Sequence, residues 1–388
     1  MPLGTEKIAL LGTAGVSSGL NYWGDGSDGA VSTSGDVTHT VANKDGSYDG
    51  DMFVAQYTSL TIGSGDTMTV DQPCRGLFVF VKGDCTIDGT LSMSNKGGSS
   101  NPTSSGGSDS NAVPTNGIQL GLFTDGGSES FTNDGTGFDG CGTAIRSALA
   151  NQDDLSSDGT VLTISKAGAS GGAGYTSSST TDFLAYTGNN GSAGTTGGVT
   201  LSTGGGGAGG TCRGSSNPGQ NATSGGGGSG GAFSGGSGGG GGATHNWAGS
   251  RTGGTGGSYG GAGGAASVAG HPDMGGGAGN PGGSGASGGG TGASGSGGIL
   301  WLLVKGDLTI GGSGSIEADG TDGGTGGGNP GVGGGGTGGG CVFVAYAGTL
   351  SNSGTITAAR GDRGSGGVYT GSGSNGGAGG VHTIQVLE

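Results

Sequence analysis

Short β-branched and aromatic runs, set off by glycine turns, occupy the two ends of the chain, and apolar residues thin out between them. Tyr57-Thr-Ser-Leu-Thr-Ile62 and Thr67-Met-Thr-Val70 alternate apolar and polar positions as half-buried strands do, with Gly63-Ser-Gly-Asp66 supplying the turn. Leu77 to Phe80 and Ile299 to Leu303 are unbroken apolar runs that predict fully buried strands. Helix is scarce: Ala144 to Ala150 is the only short candidate.

The strand pattern repeats. Val81-Lys-Gly-Asp-Cys-Thr-Ile87 recurs as Val304-Lys-Gly-Asp-Leu-Thr-Ile310, and each copy is followed by a glycine-led echo, Gly89-Thr-Leu-Ser-Met93 and Gly314-Ser-Ile-Glu-Ala318. A weaker third copy runs from Val342-Phe-Val-Ala-Tyr346 through Gly348-Thr-Leu350 to Gly354-Thr-Ile-Thr-Ala358, and Val381 to Leu387 reads as a closing strand. Repetition of this kind predicts stacked, solenoid-like coils. The expected fold is therefore mostly β: a repeated strand scaffold carrying a long glycine-rich insertion, with almost no α-helix.

Composition decides what that insertion can be. The chain has 112 glycines and 8 prolines in 388 residues and is 29% hydrophobic, too little apolar surface to offset the ordering of every residue with a conventional core. Residues 201–300 hold only Arg213, Arg251 and Asp273 as formal charges. Either the glycine is slack, or its backbone amides and carbonyls satisfy one another in parallel, threefold extended helices of the polyproline II type, a polyglycine II bundle. A net bond contribution of about 1 kcal/mol makes such a bundle marginal unless apolar strands frame it. The flanking repeats fit that role. Four stretches follow: a β-rich attachment or scaffold part (1–97), an intermediate irregular or β segment (98–167), a polyglycine II bundle with exposed loops (168–298) and a C-terminal β-repeat with further glycine (299–388).

Glycine runs alternate with segments of ordinary composition: Thr211 to Thr223, Thr244 to Thr252 and Ala266 to Met274. In a bundle these become loops, and loops gathered on a stiff scaffold are where binding residues sit. Arg213, His245, Asn246, Trp247, Arg251, Tyr259, His271, Asp273 and Met274 are the binding candidates; the competing reading makes them turn or bundle-edge residues. An aromatic flanked by polar donors suits a sugar face or an exposed protein loop.

Catalytic signals are weak. None of the six lysines follows a glycine as in a phosphate-binding loop, and glycine-spaced matches arise by chance at this composition. His39, His245, His271 and His382 are widely separated, and paired acids among Asp125, Glu129, Asp134 and Asp139 are adequately explained as turn residues. We expect no catalytic residues, no cofactor and no metal: there is no Cys-x-x-Cys pattern, and Asp25-Gly-Ser-Asp28 and Asp319-Gly-Thr-Asp322 read as turns rather than as a Ca²⁺ loop. A net charge of −15 argues against nucleic acid as a partner. No apolar run approaches membrane-spanning length. Five cysteines make no disulfide framework; Cys74 and Cys85 lie close enough in sequence to pair, with reduced buried thiols as the preferred reading. The Arg360-Gly-Asp362 tripeptide is given no recognition role.

The alternation of glycine runs and variable segments over roughly residues 168–298 resembles the receptor-binding tip adhesins of tailed-phage long tail fibres, in which a polyglycine II sandwich carries distal recognition loops. Trp23-Gly-Asp-Gly-Ser-Asp-Gly29, Leu60-Thr-Ile62, Phe78-Val-Phe-Val-Lys-Gly83 and Thr86-Ile-Asp-Gly-Thr-Leu91 are similar to the opening of glycine-rich phage virion proteins. The chain departs from the adhesins in its longer N-terminal part and its C-terminal β-repeats. The resemblance implies a non-enzymatic protein of the virion surface (tail fibre, spike or appendage), assembled in the host cytoplasm, that binds a bacterial envelope glycan or outer-membrane protein and contacts other fibre proteins, with no membrane insertion. Trimers are common among fibres, though no heptad signals one here. The competing classes are a purely structural extracellular filament or matrix subunit and an ice-binding protein, which flat, regular Thr or Ala rows would favour.

Overall fold

A computed structural model of the chain describes residues 23–42, 53–74, 76–97, 295–326, 333–366 and 372–385, together with 190–193, 206–207 and the backbones of short strands between 163 and 268. The helix candidate at 144–150 lies outside the described residues. Among them there is no helix, and the long strands are all parallel.

The chain winds in coils. It enters with β1 (Ala30–Ser32) and β2 (Val37–His39), completes one coil with β3 (Phe53–Tyr57), β4 (Ser59–Ile62) and β5 (Thr67–Val70), and a second with β6 (Leu77–Val81), β7 (Cys85–Ile87) and β8 (Thr90–Ser92). Among the described residues, the next stretch contributes β9 (Thr163–Ile164), β10 (Thr176–Ser177), β11 (Ala185–Tyr186), β12 (Thr200–Leu201), β13 (Thr211–Cys212), β14 (Ala222–Thr223), β15 (Ser250–Arg251) and β16 (Ala266–Val268). The winding then resumes with β17 (Ile299–Val304), β18 (Leu308–Ile310) and β19 (Ser315–Glu317), then β20 (Cys341–Tyr346), β21 (Leu350–Asn352) and β22 (Thr355–Thr357), and closes on β23 (Gly380–Gln385).

Three five-stranded sheets result. Sheet I is β3-β6-β17-β20-β23, sheet II β1-β4-β7-β18-β21 and sheet III β2-β5-β8-β19-β22, a solenoid of β-helix type. The sequence repeat is a spatial register: Val81 pairs with Val304, Cys85 with Leu308, Ile87 with Ile310 and Leu91 with Ile316. The third copy stacks next, Leu350 on Leu308 and Ile356 on Ile316, and β23 lies on β20. Stretches 1–97 and 299–388 thus supply adjacent strands of the same sheets.

Period-2 alternation explains sheets II and III. Leu60, Ile62, Met68, Val70, Ile87, Leu91, Leu308, Ile310 and Ile316 point inward and are buried, while Thr61, Thr86, Thr309 and Thr69 stay half-exposed on the outside. Sheet I does not alternate because it is buried on both faces, as continuous apolar parallel strands are. Its inner side carries Leu77, Val79, Val81, Leu300, Leu302, Val304, Val342 and Val344. Its outer side carries a file of rings, Phe78, Trp301, Phe343 and His382, with centroids 5.4, 5.0 and 6.0 Å apart. Phe78 and Trp301 are fully buried.

The corners are fixed by carboxylates and turns. Asp84 Oδ1 accepts the amide of Asp307 at 2.9 Å, and Asp307 Oδ1 accepts the amide of Thr349 at 2.7 Å, so one position ties three coils together. Between β4 and β5 the Asp66 amide donates to the Gly63 carbonyl at 3.0 Å, with Gly65 at φ +86°, where a side chain would be strained. Cys74, Cys85 and Cys341 are buried free thiols, so Cys74 and Cys85 do not pair. Burial pushes the Cys85 and Cys341 thiols up to about 12.

Leu308→Ala, at a fully buried inward position, is expected to lower unfolding free energy by about 2–5 kcal/mol. Thr309→Ala, one residue on and facing outward, is expected to change it by no more than about 0.5 kcal/mol. Denaturant titration of both variants measures the contrast, and equal effects would mean the inside and outside of sheet II are misassigned.

Candidate functional site

The glycine-rich stretches all leave the solenoid at one corner, between sheet III and sheet I. They run from Ser92 to Ile299, from Glu317 to Cys341 and from Thr357 to Gly380. The first and longest is clasped at its root: the Gly298 amide donates to the Met93 carbonyl and the Gly97 amide to the Ser296 carbonyl, both at 2.9 Å. Thr321 and Thr337 close the same corner by donating their hydroxyls to the Gly295 carbonyl.

The two shorter excursions run out and back, and their backbones bond at every third residue. Gly340, Thr337 and Gly334 donate to Ala318, Thr321 and Gly324, an antiparallel set at 2.8–3.0 Å. Gly320, Gly323 and Gly326 donate to Ala359, Asp362 and Ser365, a parallel set at 2.8–2.9 Å. Gly379, Gly376 and Gly373 donate to Ala358, Gly361 and Gly364, antiparallel again at 2.7–3.0 Å. In an extended ladder, partners recur at every second residue; a three-residue period means that successive amides point in three directions around the segment axis.

Residues 333–340 show this fully. All are buried, and their backbones bond to five other segments: 318–324, 361–364, 374–377, Gly297 and Gly207. A strand within a sheet has two neighbours, so these segments form a bundle in cross-section rather than a sheet. Burial follows the same period on the next segment, where Ala358, Gly361 and Gly364 are buried while Ala359, Arg360, Asp362, Arg363 and Ser365 are exposed. A Cβ added at Gly361 would fall on the Thr321 carbonyl oxygen, and one at Gly336 on the Gly361 carbonyl oxygen. The absence of side chains at these positions is what lets the segments approach.

One sequence reading changes here. Asp319 and Asp322 are not local turn residues: Asp319 Oδ1 accepts the Ala359 amide at 2.6 Å and Asp322 Oδ1 the Asp362 amide at 2.7 Å, bridging successive excursions. The Arg360-Gly-Asp362 tripeptide owes its glycine to the bundle, and its charged ends pair outside it at 3.6 Å. Asp25 does make a local turn, accepting the Ser27 amide at 2.7 Å, whereas Asp28 accepts the Gln56 amide at 2.8 Å. Among the described residues no group of three or more His, Cys, Asp or Glu is placed to hold a metal, and no helix is long and apolar enough to cross a membrane.

Of the nine candidate binding residues only the Arg251 backbone is described; Arg213, His245, Asn246, Trp247, Tyr259, His271, Asp273 and Met274 lie outside the described residues. The strands beside them are placed. β14, β15 and β16, one from each of the non-glycine segments, join β10 in a four-stranded antiparallel sheet of order β10-β14-β16-β15. Ala222 pairs with Val268 and Ser250 with Ser267, so the chain enters β14 and β15 and leaves β16 at the same end. The sequence leading into that end is Arg213 to Asn221 and His245 to Gly249, and the sequence leading out is Ala269 to Met274. Tyr259 belongs to the connection at the opposite end.

Sequence reasoning did not single out His39. On β2 it stacks on Phe53, with ring centroids 4.4 Å apart, and its Nε2 is 3.2 Å from the Tyr57 hydroxyl. Burial lowers the His39 pKa from 6.5, opposed by the Asp28 carboxylate. Burial, then Asp28, pushes Tyr57 up to about 12. No family model, curated protein or solved structure matches the chain.

Two expectations follow from this geometry. Gly361→Ala is expected to destabilise the glycine corner while Ser365→Ala leaves it unchanged, read as faster amide exchange at residues 333–340 in the first variant alone. Because His39 is held below its unfolded pKa, the unfolded chain takes up that proton first, and stability is lost progressively as pH falls from about 6.5 toward the lower folded value. Melting at about pH 7.5 and about pH 5.5 should show a drop in the wild type that is smaller in His39→Gln; equal drops would exclude this histidine as the source.

Proposed function

We propose that the chain is a structural protein of a phage virion surface, a tail fibre, spike or appendage component, that displays recognition loops on a glycine bundle. The three-residue bonding period and multi-neighbour contacts of residues 318–326, 333–340, 358–366 and 372–379 support polyglycine II geometry, at about 3.1 Å per residue. We extend that geometry to 168–298, where Gly191 and Gly207 already bond to Asn375 and Gly336.

One observation carries the recognition reading: the pairing of β14, β15 and β16 directs the segments that hold Arg213, His245, Asn246, Trp247, His271, Asp273 and Met274 toward one end of one small sheet, in which Arg251 is itself a β15 residue. Long glycine runs separate these segments in sequence. Brought together there, they would make a patch of aromatic, cationic and imidazole groups suited to a bacterial envelope glycan or an exposed outer-membrane loop. The β-solenoid supplies a stiff base, and the bundle carries the patch away from it.

Purified protein should compete with virions for adsorption to host cells. Trp247→Ala and Arg251→Ala are each expected to weaken that competition at least tenfold, about 1.4 kcal/mol, as for an interface hot spot. Unchanged competition by both folded variants would remove the receptor reading and leave a purely structural role.

A further inference from the structure

Far from its root in sequence, the long insertion meets the last excursion, Thr357 to Gly380, at a joint built on two asparagines. The Asn375 amide donates to Asn190 Oδ1 at 3.0 Å, and the Asn375 carbonyl accepts the Gly191 amide at 2.9 Å. Asn375 Oδ1 accepts the Arg363 amide at 2.8 Å, so one residue ties three segments together with its backbone donor, its backbone acceptor and its side chain. The approach is close: a Cβ added at Gly377 would fall on the Ser192 carbonyl oxygen, and one at Gly207 on the Ser374 carbonyl oxygen. Gly207 also donates its amide to the Gly336 carbonyl at 2.8 Å.

Both asparagines are followed by glycine, as Asn190-Gly191 and Asn375-Gly376. That dipeptide favours cyclisation, because glycine leaves the following main-chain nitrogen unshielded and free to rotate toward the side chain. The nitrogen gives up its proton and bonds to the asparagine Cγ, the bond from Cγ to the side-chain nitrogen breaks, and ammonia leaves. Water then opens the imide at either carbonyl, giving aspartate or isoaspartate. In the closed joint both nitrogens are committed elsewhere: Gly191 donates to Asn375, and Gly376 donates to the Gly361 carbonyl at 3.0 Å. Both Oδ1 atoms are held as acceptors, and Gly376 and Gly377 are buried.

Isoaspartate routes the main chain through the side-chain carbon, adding one methylene between residues 375 and 376. Gly373, Gly376 and Gly379 donate to Gly364, Gly361 and Ala358 on a three-residue period, and an extra atom after the first moves the other two off their acceptors.

We propose that Asn190-Gly191 and Asn375-Gly376 are a pair of deamidation sites gated by this joint. Closed, the joint fixes the insertion on the last excursion and keeps both asparagines unreactive. Open, it exposes them to the conversion, and isoaspartate at 375 makes the opening permanent. The device is independent of what the insertion displays.

Incubation of the full-length protein in mildly alkaline buffer, followed by peptide mapping with mass spectrometry, reads the gate directly. Both asparagines should deamidate at least about tenfold more slowly than in synthetic peptides of residues 187–194 and 372–379, as in a structure that opens rarely. Gly377→Ala, which forces the segments apart, should speed both sites together, and Ala378→Ser, at an exposed neighbour, should speed neither. Asn190→Gly removes an acceptor without adding bulk and should speed Asn375. Protein fractionated for isoaspartate at 375 should show faster amide exchange at 190–193 than unmodified protein. Wild-type deamidation at the peptide rates, sites that ignore Gly377→Ala and Asn190→Gly, or unchanged exchange in the isoaspartate fraction would each overturn the proposal.

Discussion

Backbone hydrogen bonding from one coil to the next is the constraint on which the rest of the molecule depends. In the sheets it is satisfied in the familiar way, each inner strand bonding to two neighbours, and side chains are free to fill the interior with residues such as Leu60, Met68 and Ile310. Past the corner after sheet III the same chain needs the same saturation, but apolar side chains to seal it from water are few there. Glycine resolves this by letting backbones approach closely, so that 333–340 is buried and bonded to several other segments at once. The carboxylates of Asp84, Asp307, Asp319 and Asp322 repeat the device with side chains, each capping an amide one coil further on.

Much of this was legible in the sequence and some of it could not be. The repeated Val-Lys-Gly-Asp-x-Thr-Ile segments announce the coil because a parallel solenoid stacks identical positions, and Val81 on Val304 is that identity in space. Thr67 to Val70 alternates because one side faces the core. By contrast, β1 and β2 are three residues each, too short to show a period, and were found only through their partners Ser59 to Thr61 and Met68 to Val70. The outer burial of sheet I is hinted at by the uninterrupted apolar run at β17, but a run of this length does not say what lies on either side. As for recognition, residue types such as Trp247 and Arg251 stand out against glycine. The sheet formed by β14, β15 and β16 depends on antiparallel pairings of two or three residues that no local pattern encodes.

The placement of the long insertion follows from the energetics of closure. It enters after β8 and returns at β17, the second and third full coils of the stack, so strands β6, β7 and β8 on one side meet β17, β18 and β19 on the other. Closing a loop roughly nine times as long as the next excursion raises the entropic cost by only about 2 kcal/mol, because the dependence on length is logarithmic. The pairing of three strands with three, and the burial of Trp301 between Phe78 and Phe343, far exceeds that. A solenoid is thus tolerant of an insertion of almost any length at a corner, provided the strands on both sides keep register. The Met93–Gly298 and Gly97–Ser296 bonds hold that register at the root itself, so whatever the insertion carries, its two ends leave the scaffold from a fixed point.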